Sequence, residues 1–450
     1  MRISFSIGYG ILLPLPRTVC HKGDDGSSQH PKTEEDSMKA LVFGGSGKIG
    51  SAVAWDLAKD KDVEVIGITG RHQDSLEKTK KWIGSKKIVV HPVDLTEKKD
   101  AVKLMKQYDV GAIAVPDRRR SYKTAHFAIE AGLHIVDMLE EYHRRPDAYE
   151  VEGLEVPKGM TLNEYGDWLH ETAIKNGVTF VDGMGFAPGL SNVTVGEAIR
   201  KMDKAESAVA RVGGIPSKEA AKNHPLRYMI TWTFEHVLRE YMIKLFVIKD
   251  GKVVEVPAIG DRETFRFTKF GRNEELQCAV TPGMPSFIYS RTQLKDFAEK
   301  TVRWPGHFPS IDTLKECGLL DVEPHEFNGA KIVPREFLLS LITPKLQAKR
   351  GETDVCVMYN TVLGKKNGKN VKMEYFMWDE ADKKNGISSM MRVTGFPVAI
   401  TAKLILEGLI KEKGIVPPED CIKGKLYTRF MNELEKRNIN IIEEVQTVKK

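Results

Sequence analysis

From residue 39 the chain alternates short apolar runs with stretches of helical spacing. Residues 39–43 read Lys-Ala-Leu-Val-Phe and lead into Gly44-Gly45-Ser46-Gly47-Lys48-Ile49-Gly50. Val53, Trp55, Leu57 and Ala58 then recur at roughly helical intervals. This is the pattern of strand, glycine turn, helix. Further apolar runs fall at 63–68, 88–90, 110–115, 134–138 and 178–181, with helical patterns between them. Alternation of this kind predicts a parallel sheet covered on both faces, an α/β Rossmann unit spanning residues 38–189.

After Gly189 the texture changes. Runs at 245–248 and 253–256 flank Lys249-Asp250-Gly251-Lys252, a hairpin signal because Asp-Gly readily takes positive φ. Residues 262–270 and 354–363 alternate apolar and polar, and 371–378 pairs with the latter across Asn367-Gly368. An inserted α+β domain on a mixed or antiparallel sheet is therefore expected over 190–385. The segment 386–450 returns to helix: Pro397 suits a first turn, apolar residues run to Ile410, and Gly414 ends the helix. Pro417-Pro418-Glu419 opens another helical pattern that reaches about Arg437.

Composition narrows the class. Hydrophobic residues are 41% and charged residues 29% of 450, ordinary for a globular chain with a sizeable core. No run of about 18 apolar residues appears, so no membrane-spanning helix is expected. The net charge of +6 comes from 68 basic and 62 acidic residues spread along the chain. That balance suits an anionic small molecule or nothing, and argues against nucleic acid, which calls for a concentrated basic stripe. Five cysteines lie far apart without C-x-x-C, so neither a disulfide framework nor a zinc site is signalled, and a cytoplasmic setting is expected. Twelve scattered histidines show no metal-binding spacing. Residues 1–37, broken by Pro14 and Pro16 and followed by Met38, read as a disordered extension or a misassigned start.

Gly45-x-Gly47-x-x-Gly50 is a weak signal alone, but it follows a strand and opens a helix within a βαβ unit. Glycines there let the backbone approach a pyrophosphate, and the helix N-terminus favours its negative charge. Gly45, Ser46, Gly47, Lys48, Ile49 and Gly50 are the expected phosphate loop. An acidic residue about 20 positions beyond the last glycine would select NAD. That count lands on Gly70, followed by Arg71 and His72. Arg71 facing a 2′-phosphate favours NADP, with NAD still open and a merely solvated Arg71 the alternative.

Ordered blocks carry a resemblance across nearly the whole chain. They are Gly185-Phe186-Ala187-Pro188-Gly189-Leu190-Ser191-Asn192, Val212-Gly213-Gly214-Ile215-Pro216 and Thr231-Trp232-Thr233. Val302-Arg303-Trp304-Pro305-Gly306-His307, Ser388-Ser389-Met390, Arg392-Val393-Thr394-Gly395-Phe396 and Gly414-Ile415-Val416-Pro417-Pro418-Glu419 complete them. With these blocks the chain resembles the saccharopine dehydrogenase (saccharopine reductase) and lysine 6-dehydrogenase family, and looks closer to the second branch. The resemblance implies hydride transfer between NAD(P) and an amine-bearing carbon of lysine or a lysine-derived imine, in a homodimer. It places Arg71 at the adenosine ribose, and Asp94, Pro116, Asp137, Met138, Gly185, Phe186, Ala187 and Thr233 along the nicotinamide half. It also places Arg303, Trp304 and Ala187 against an amino-acid substrate.

The departures bear on the substrate. Saccharopine reductases resemble this chain at Pro188-Gly189 but carry an aspartate in place of Ala187. Their proton-transfer tyrosine and cysteine fall near Glu140 and Val212, and their arginine for the glutamyl carboxylate falls near Met284 or Pro285. Amine oxidation needs a base, because the nitrogen must shed a proton before its lone pair can expel hydride. Asp137, at a strand end, is the expected group, with a helix cap the alternative. Glu140 and Glu141 follow closely and would replace the absent tyrosine, with a solvated face the favoured alternative. Arg303 suits an α-carboxylate through its planar fork, with a structural ion pair as the alternative. His307 reads as a packed or surface histidine, and Arg118-Arg119-Arg120 as a solvated loop, functional only toward an anionic substrate or a phosphate. A catalytically inactive dinucleotide-binding sensor or scaffold is the competing reading.

Overall fold

The structure is a computed structural model and describes residues 38–139, 141–146 and 154–448. The expected N-terminal extension and Glu140 lie outside them. Six strands come first: β1 (Met38–Phe43), β2 (Val63–Gly70), β3 (Ile88–Pro92), β4 (Val110–Ile113), β5 (His134–Asp137) and β6 (Thr179–Val181). Next come β7 (Lys204–Pro216), β8 (Lys244–Lys249), β9 (Lys252–Pro257), β10 (Glu263–Phe267), β11 (Glu274–Val280) and β12 (Asp296–Arg303). A small hairpin, β13 (His325–Phe327) and β14 (Ala330–Ile332), precedes the long pair β15 (Asp354–Lys366) and β16 (Lys369–Glu380). β17 (Gly414–Val416) and β18 (Ile442–Thr447) close the series.

The first sheet runs β17-β6-β5-β4-β1-β2-β3, with every neighbouring pair parallel. Its order reverses between β1 and β4, the crevice where open α/β sheets take ligands. β17 corrects the expectation of helix alone after residue 386. Gly414 starts a strand, with φ of 89°, and Ile415 and Val416 pair with Phe180 and Val181. Three residues are too few to show a period.

The second sheet is mixed. Its main path is β10-β11-β12-β7-β15-β16-β18, with β8 joined to β12 and β9. The pair β7–β12 is parallel and the rest are antiparallel. Asp250 and Gly251 make the β8–β9 turn at φ of 50° and 74°, and Asn367 and Gly368 make the β15–β16 turn at 51° and 72°. All four values lie in the left-handed region that such turns demand.

The helix Ser389–Leu406 packs beside Lys48–Lys59 and also meets β4, β5 and β15. Apolar residues from both sheets and from this helix form one continuous core, including Val42, Val136, Met358, Phe396 and Ile400. The helix is apolar enough by length and composition to cross a bilayer, but most of it is buried against these layers. Its start differs from the expectation. Pro397 lies inside the helix, which begins at Ser389 with the Ser388 hydroxyl accepting from Met391 N at 3.1 Å. A serine cap supplies a side-chain acceptor at the first turn, which a proline has no means of doing. Trp55 stacks on Phe396 at 5.7 Å, and Asp56 receives Arg437 Nε at 2.9 Å, tying the last helices to the first.

Candidate active site

The glycine loop is shaped by close approach. Gly44 has φ of 75°, and a Cβ there would stand 2.6 Å from Ala114 O. A Cβ on Gly50 would overlap Gly44 O, so the helix Lys48–Lys59 can start this near the strand only with glycine there. Gly47 caps that helix without any side-chain hydrogen bond, and its first turn carries no acid. The positive end of the helix is thus left to an external anion.

Two cavities meet at Gly47 and at Ala114, Val115 and Pro116, just past β4. The smaller, about 240 Å³, is bordered by Ser46, Gly70, Arg71, Asp94, Arg120 and Lys123. No acid stands at the end of β2, where a Cβ on Gly70 would already lie 3.3 Å from Ser46 Oγ. Three cations around one chamber suit a ribose bearing a phosphate, so these residues fit NADP. Asp94 borders this chamber, not the nicotinamide half expected for it. Hydrogen bonds from Thr96 N (3.0 Å) and Thr96 Oγ1 (2.9 Å) hold its carboxyl below the usual range, with Arg120 and Arg71 adding to the effect.

The larger cavity, about 370 Å³, runs from Lys48 and Ile49 to the second sheet. Pro116, Met138, Phe186, Ala187 and Thr233 border it, as expected. Gly185 does not. Its amide bonds to Pro188 O at 2.9 Å and tightens the turn that presents Phe186 and Ala187. Arg118 is also brought in. The arginine run forms the first turn of the helix Arg118–Ala131, capped by Asp117, and Arg118 is buried at the cavity wall. The expectation of a solvated loop fails, since the run is helical and Arg118 and Arg120 border the two cavities.

Asp137 is a clear correction. Its side chain is wholly buried and borders neither cavity. Its Oδ2 accepts from Ser121 Oγ at 2.5 Å and lies 3.6 Å from His143 Nε2, while Oδ1 accepts from Leu139 N at 2.8 Å. His143 in turn meets Asp182 at 2.8 Å. The carboxylate braces the Met138–Leu139 wall from behind, where it meets neither cavity. Trp304 is a second correction: its indole N–H donates to Pro216 O at 2.8 Å, and the ring packs with Ile215, Phe267 and Val357 away from the cavity.

Arg303 is where it was expected, buried and on the cavity wall. Its Nε donates to the Tyr241 hydroxyl at 3.0 Å, and a second nitrogen donates to Val302 O at 2.9 Å. These partners are neutral, so the structural ion pair weighed for it is not what holds it. Residues alternate across β12, which puts Glu299, Thr301 and Arg303 on the cavity together. Glu299 Oε2 accepts from Thr281 Oγ1 at 2.7 Å. Glu240, at the end of the helix Phe234–Glu240, is the other carboxylate on this wall, and its charge acts on Arg303. Sequence reasoning missed both glutamates, although a strand read through 296–303 would have aligned Glu299 with Arg303.

Comparison with known proteins agrees with this anatomy. Residues 40–210 match the family model described as the saccharopine dehydrogenase NADP binding domain, and residues 185–439 match the saccharopine dehydrogenase C-terminal domain. Saccharopine dehydrogenase [NADP(+), L-glutamate-forming] of Schizosaccharomyces pombe is 23% identical over 62% of this chain and 76% of its own length. Carboxyaminopropylagmatine dehydrogenase of Synechocystis is 22% identical over 85% of this chain and 93% of its own. Apo saccharopine dehydrogenase (L-Glu forming) from Saccharomyces cerevisiae superimposes with a TM-score of 0.71 at 20% identity, covering 91% of this chain and 100% of that one, and so shares the fold. With both halves matched in order over most of its length, this chain belongs to the saccharopine dehydrogenase family.

Proposed function

We propose that the chain is an NADP-dependent oxidoreductase acting at an amine-bearing carbon of lysine or of a lysine-derived imine. The observation that carries this reading is that Arg303, Glu240 and Glu299 all line the cavity that opens onto the glycine loop. A buried guanidinium suits a carboxylate, and buried carboxylates suit ammonium groups. Among the described residues, one cation and two anions at this end match a diamino monocarboxylate better than a substrate with several carboxylates. Arg303 and Glu299 are four residues apart on β12, about 13 Å between their Cα atoms at the usual strand rise. The names of the relatives, saccharopine dehydrogenase and carboxyaminopropylagmatine dehydrogenase, support chemistry at a carbon bearing nitrogen.

Bound NADP would supply the hydride acceptor, with its diphosphate over Gly45–Gly50 and its 2′-phosphate among Arg71, Arg120 and Lys123. Arg303 holds the substrate carboxylate, and Glu240 holds the neighbouring ammonium. Glu299, anchored by Thr281, takes the proton that the reacting amine must lose before its lone pair is available. The apolar wall of Met138, Phe186 and Ala187 excludes water and strengthens these charge contacts. The test follows reduced-nicotinamide absorbance while purified protein is offered NADP or NAD with lysine, ornithine, saccharopine or carboxynorspermidine. Turnover of a diamino monocarboxylate with NADP is expected, and Glu299→Gln should lower kcat by a factor of about 100 or more. Tight cofactor binding without turnover of any amine would favour a sensor or scaffold instead.

A further inference from the structure

The side of Arg303 that faces away from the cavity is built into a chain of hydrogen bonds with only one possible direction. Arg303 Nε lies 3.0 Å from Tyr241 Oη, Tyr241 Oη lies 3.2 Å from His307 Nε2, and His307 Nδ1 lies 2.9 Å from Leu226 O. All three side chains are buried. A guanidinium can only donate and a carbonyl can only accept. His307 must therefore carry its proton on Nδ1 to satisfy Leu226, which leaves Nε2 as an acceptor. The Tyr241 hydrogen must then point to His307, which leaves the phenol oxygen to receive Arg303. The carbonyl that starts the chain belongs to a residue with φ of 60°, in the turn Pro225–Arg227. The guanidinium also lies over the Tyr228 ring, 5.4 Å from its centroid.

We propose that Tyr241 and His307 are positioning residues that orient the Arg303 fork toward a substrate carboxylate by this one-way chain. The inference rests on the reading of Arg303 as the carboxylate contact. The neutrality it requires of His307 agrees with that group's surroundings: burial, then the Arg303 charge, push its imidazole down to about 3. A cationic His307 would donate from both nitrogens, so the Tyr241 hydrogen would lose its acceptor and the middle link would reverse.

The test compares L-lysine with 1,5-diaminopentane, the same chain without the carboxylate, as probes of the NADP-loaded protein by turnover and by calorimetric binding. Arg303→Ala examines the underlying reading and should abolish the preference for lysine. Tyr241→Phe removes one oxygen and should raise KM for lysine about tenfold or more, leaving kcat within about twofold and diaminopentane unaffected. His307→Phe should do the same. His307→Gln, which keeps an acceptor for the Tyr241 hydroxyl, should recover most of the loss. If Arg303→Ala removes the preference but Tyr241→Phe and His307→Phe leave it intact, the positioning role is wrong while the carboxylate contact stands. If the unaltered protein does not distinguish the probes, or responds to neither, or if Arg303→Ala keeps the preference, both ideas fall. Retained NADP binding by each variant shows that the fold is intact.

Discussion

His143 Nδ1 lies 2.8 Å from Asp182 Oδ1, and neither side chain reaches solvent. On the other side the ring is 3.6 Å from Asp137 Oδ2. Burial alone would push this imidazole down. The Asp182 carboxylate and its hydrogen bond, then Asp137, more than reverse that and raise it to about 9. The charged ring joins segments far apart in sequence directly behind the Met138–Leu139 wall of the larger cavity.

A pH dependence of stability follows from the sign of that shift. Below about pH 6.5 the imidazole is charged in both folded and unfolded chains, and the folded state keeps the full benefit. As pH rises past 6.5 the unfolded chain loses its proton first, and the benefit is gone once the folded ring titrates near 9. Asp137, pushed up by burial, acts in the same direction from its own ordinary range upward. Thermal denaturation from pH 6 to 10 should show a falling Tm, with on the order of 3 kcal/mol at stake. His143→Gln should flatten the slope and cost about 3–5 kcal/mol at pH 6.5 by stranding a buried carboxylate. An unchanged slope in that variant would show that other groups govern the profile.

Arg71 should set the choice of cofactor. It borders the smaller cavity with Arg120 and Lys123, and Gly70 stands where an acid would select NAD. Replacing Arg71 by Asp exchanges a partner for the 2′-phosphate for a charge that repels it. The expected result is a rise of tenfold or more in the Kd for NADP, with NAD binding equal or tighter, measured by titration of each nucleotide. Equal effects on both would place Arg71 outside the ribose site.

Gly50→Ala should be far more damaging than one added methyl suggests. The new Cβ would overlap a backbone oxygen, Gly44 O, and would also crowd Gly45 Cα at 3.1 Å. Backbone atoms cannot swing aside as a flexible side chain would, so the helix must retreat from the loop. A loss of about 1–3 kcal/mol in stability is expected, together with a large loss of affinity for both nucleotides. Gly132→Ala, where a Cβ meets nothing within 4 Å, should leave nucleotide binding intact and shows only the cost of its own left-handed φ of 76°.

What the sequence revealed, and what it hid, divides along the range of the physics. The glycine turn, the parallel runs and the Asp250-Gly251 hairpin are local, and each is legible in a few neighbouring residues. β17 is three residues long and becomes a strand only because β6 offers it an edge. β7 lies between β12 and β15 and holds Gly213, Gly214 and Pro216, residues that local pattern does not favour in a central strand. Those glycines are needed because Val302 and Met390 press against them, which no local pattern announces. Asp137 was legible as a strand-end acid, but Ser121, His143 and Asp182 enclose it from separate segments. Glu299 shares a face of β12 with Arg303 but carries no motif, and only the fold brings Glu240 to them.

Trp304 offers the cleanest check of the corrected site, because it adjoins Arg303 in sequence yet sits on the opposite face of the sheet. Its indole fills a cluster with Ile215, Phe267 and Val357 and donates to Pro216 O at the end of β7. Trp304→Phe keeps an aromatic ring there, loses that one hydrogen bond and leaves a small void. A destabilisation of about 1–3 kcal/mol is expected from the unpaired carbonyl and the lost contacts. KM and kcat for the amine substrate should each stay within about twofold of the unaltered protein, in contrast to Arg303→Ala. A selective rise in KM without loss of stability would mean that the indole reaches the substrate, and that the wall of the cavity has been drawn on the wrong face of β12.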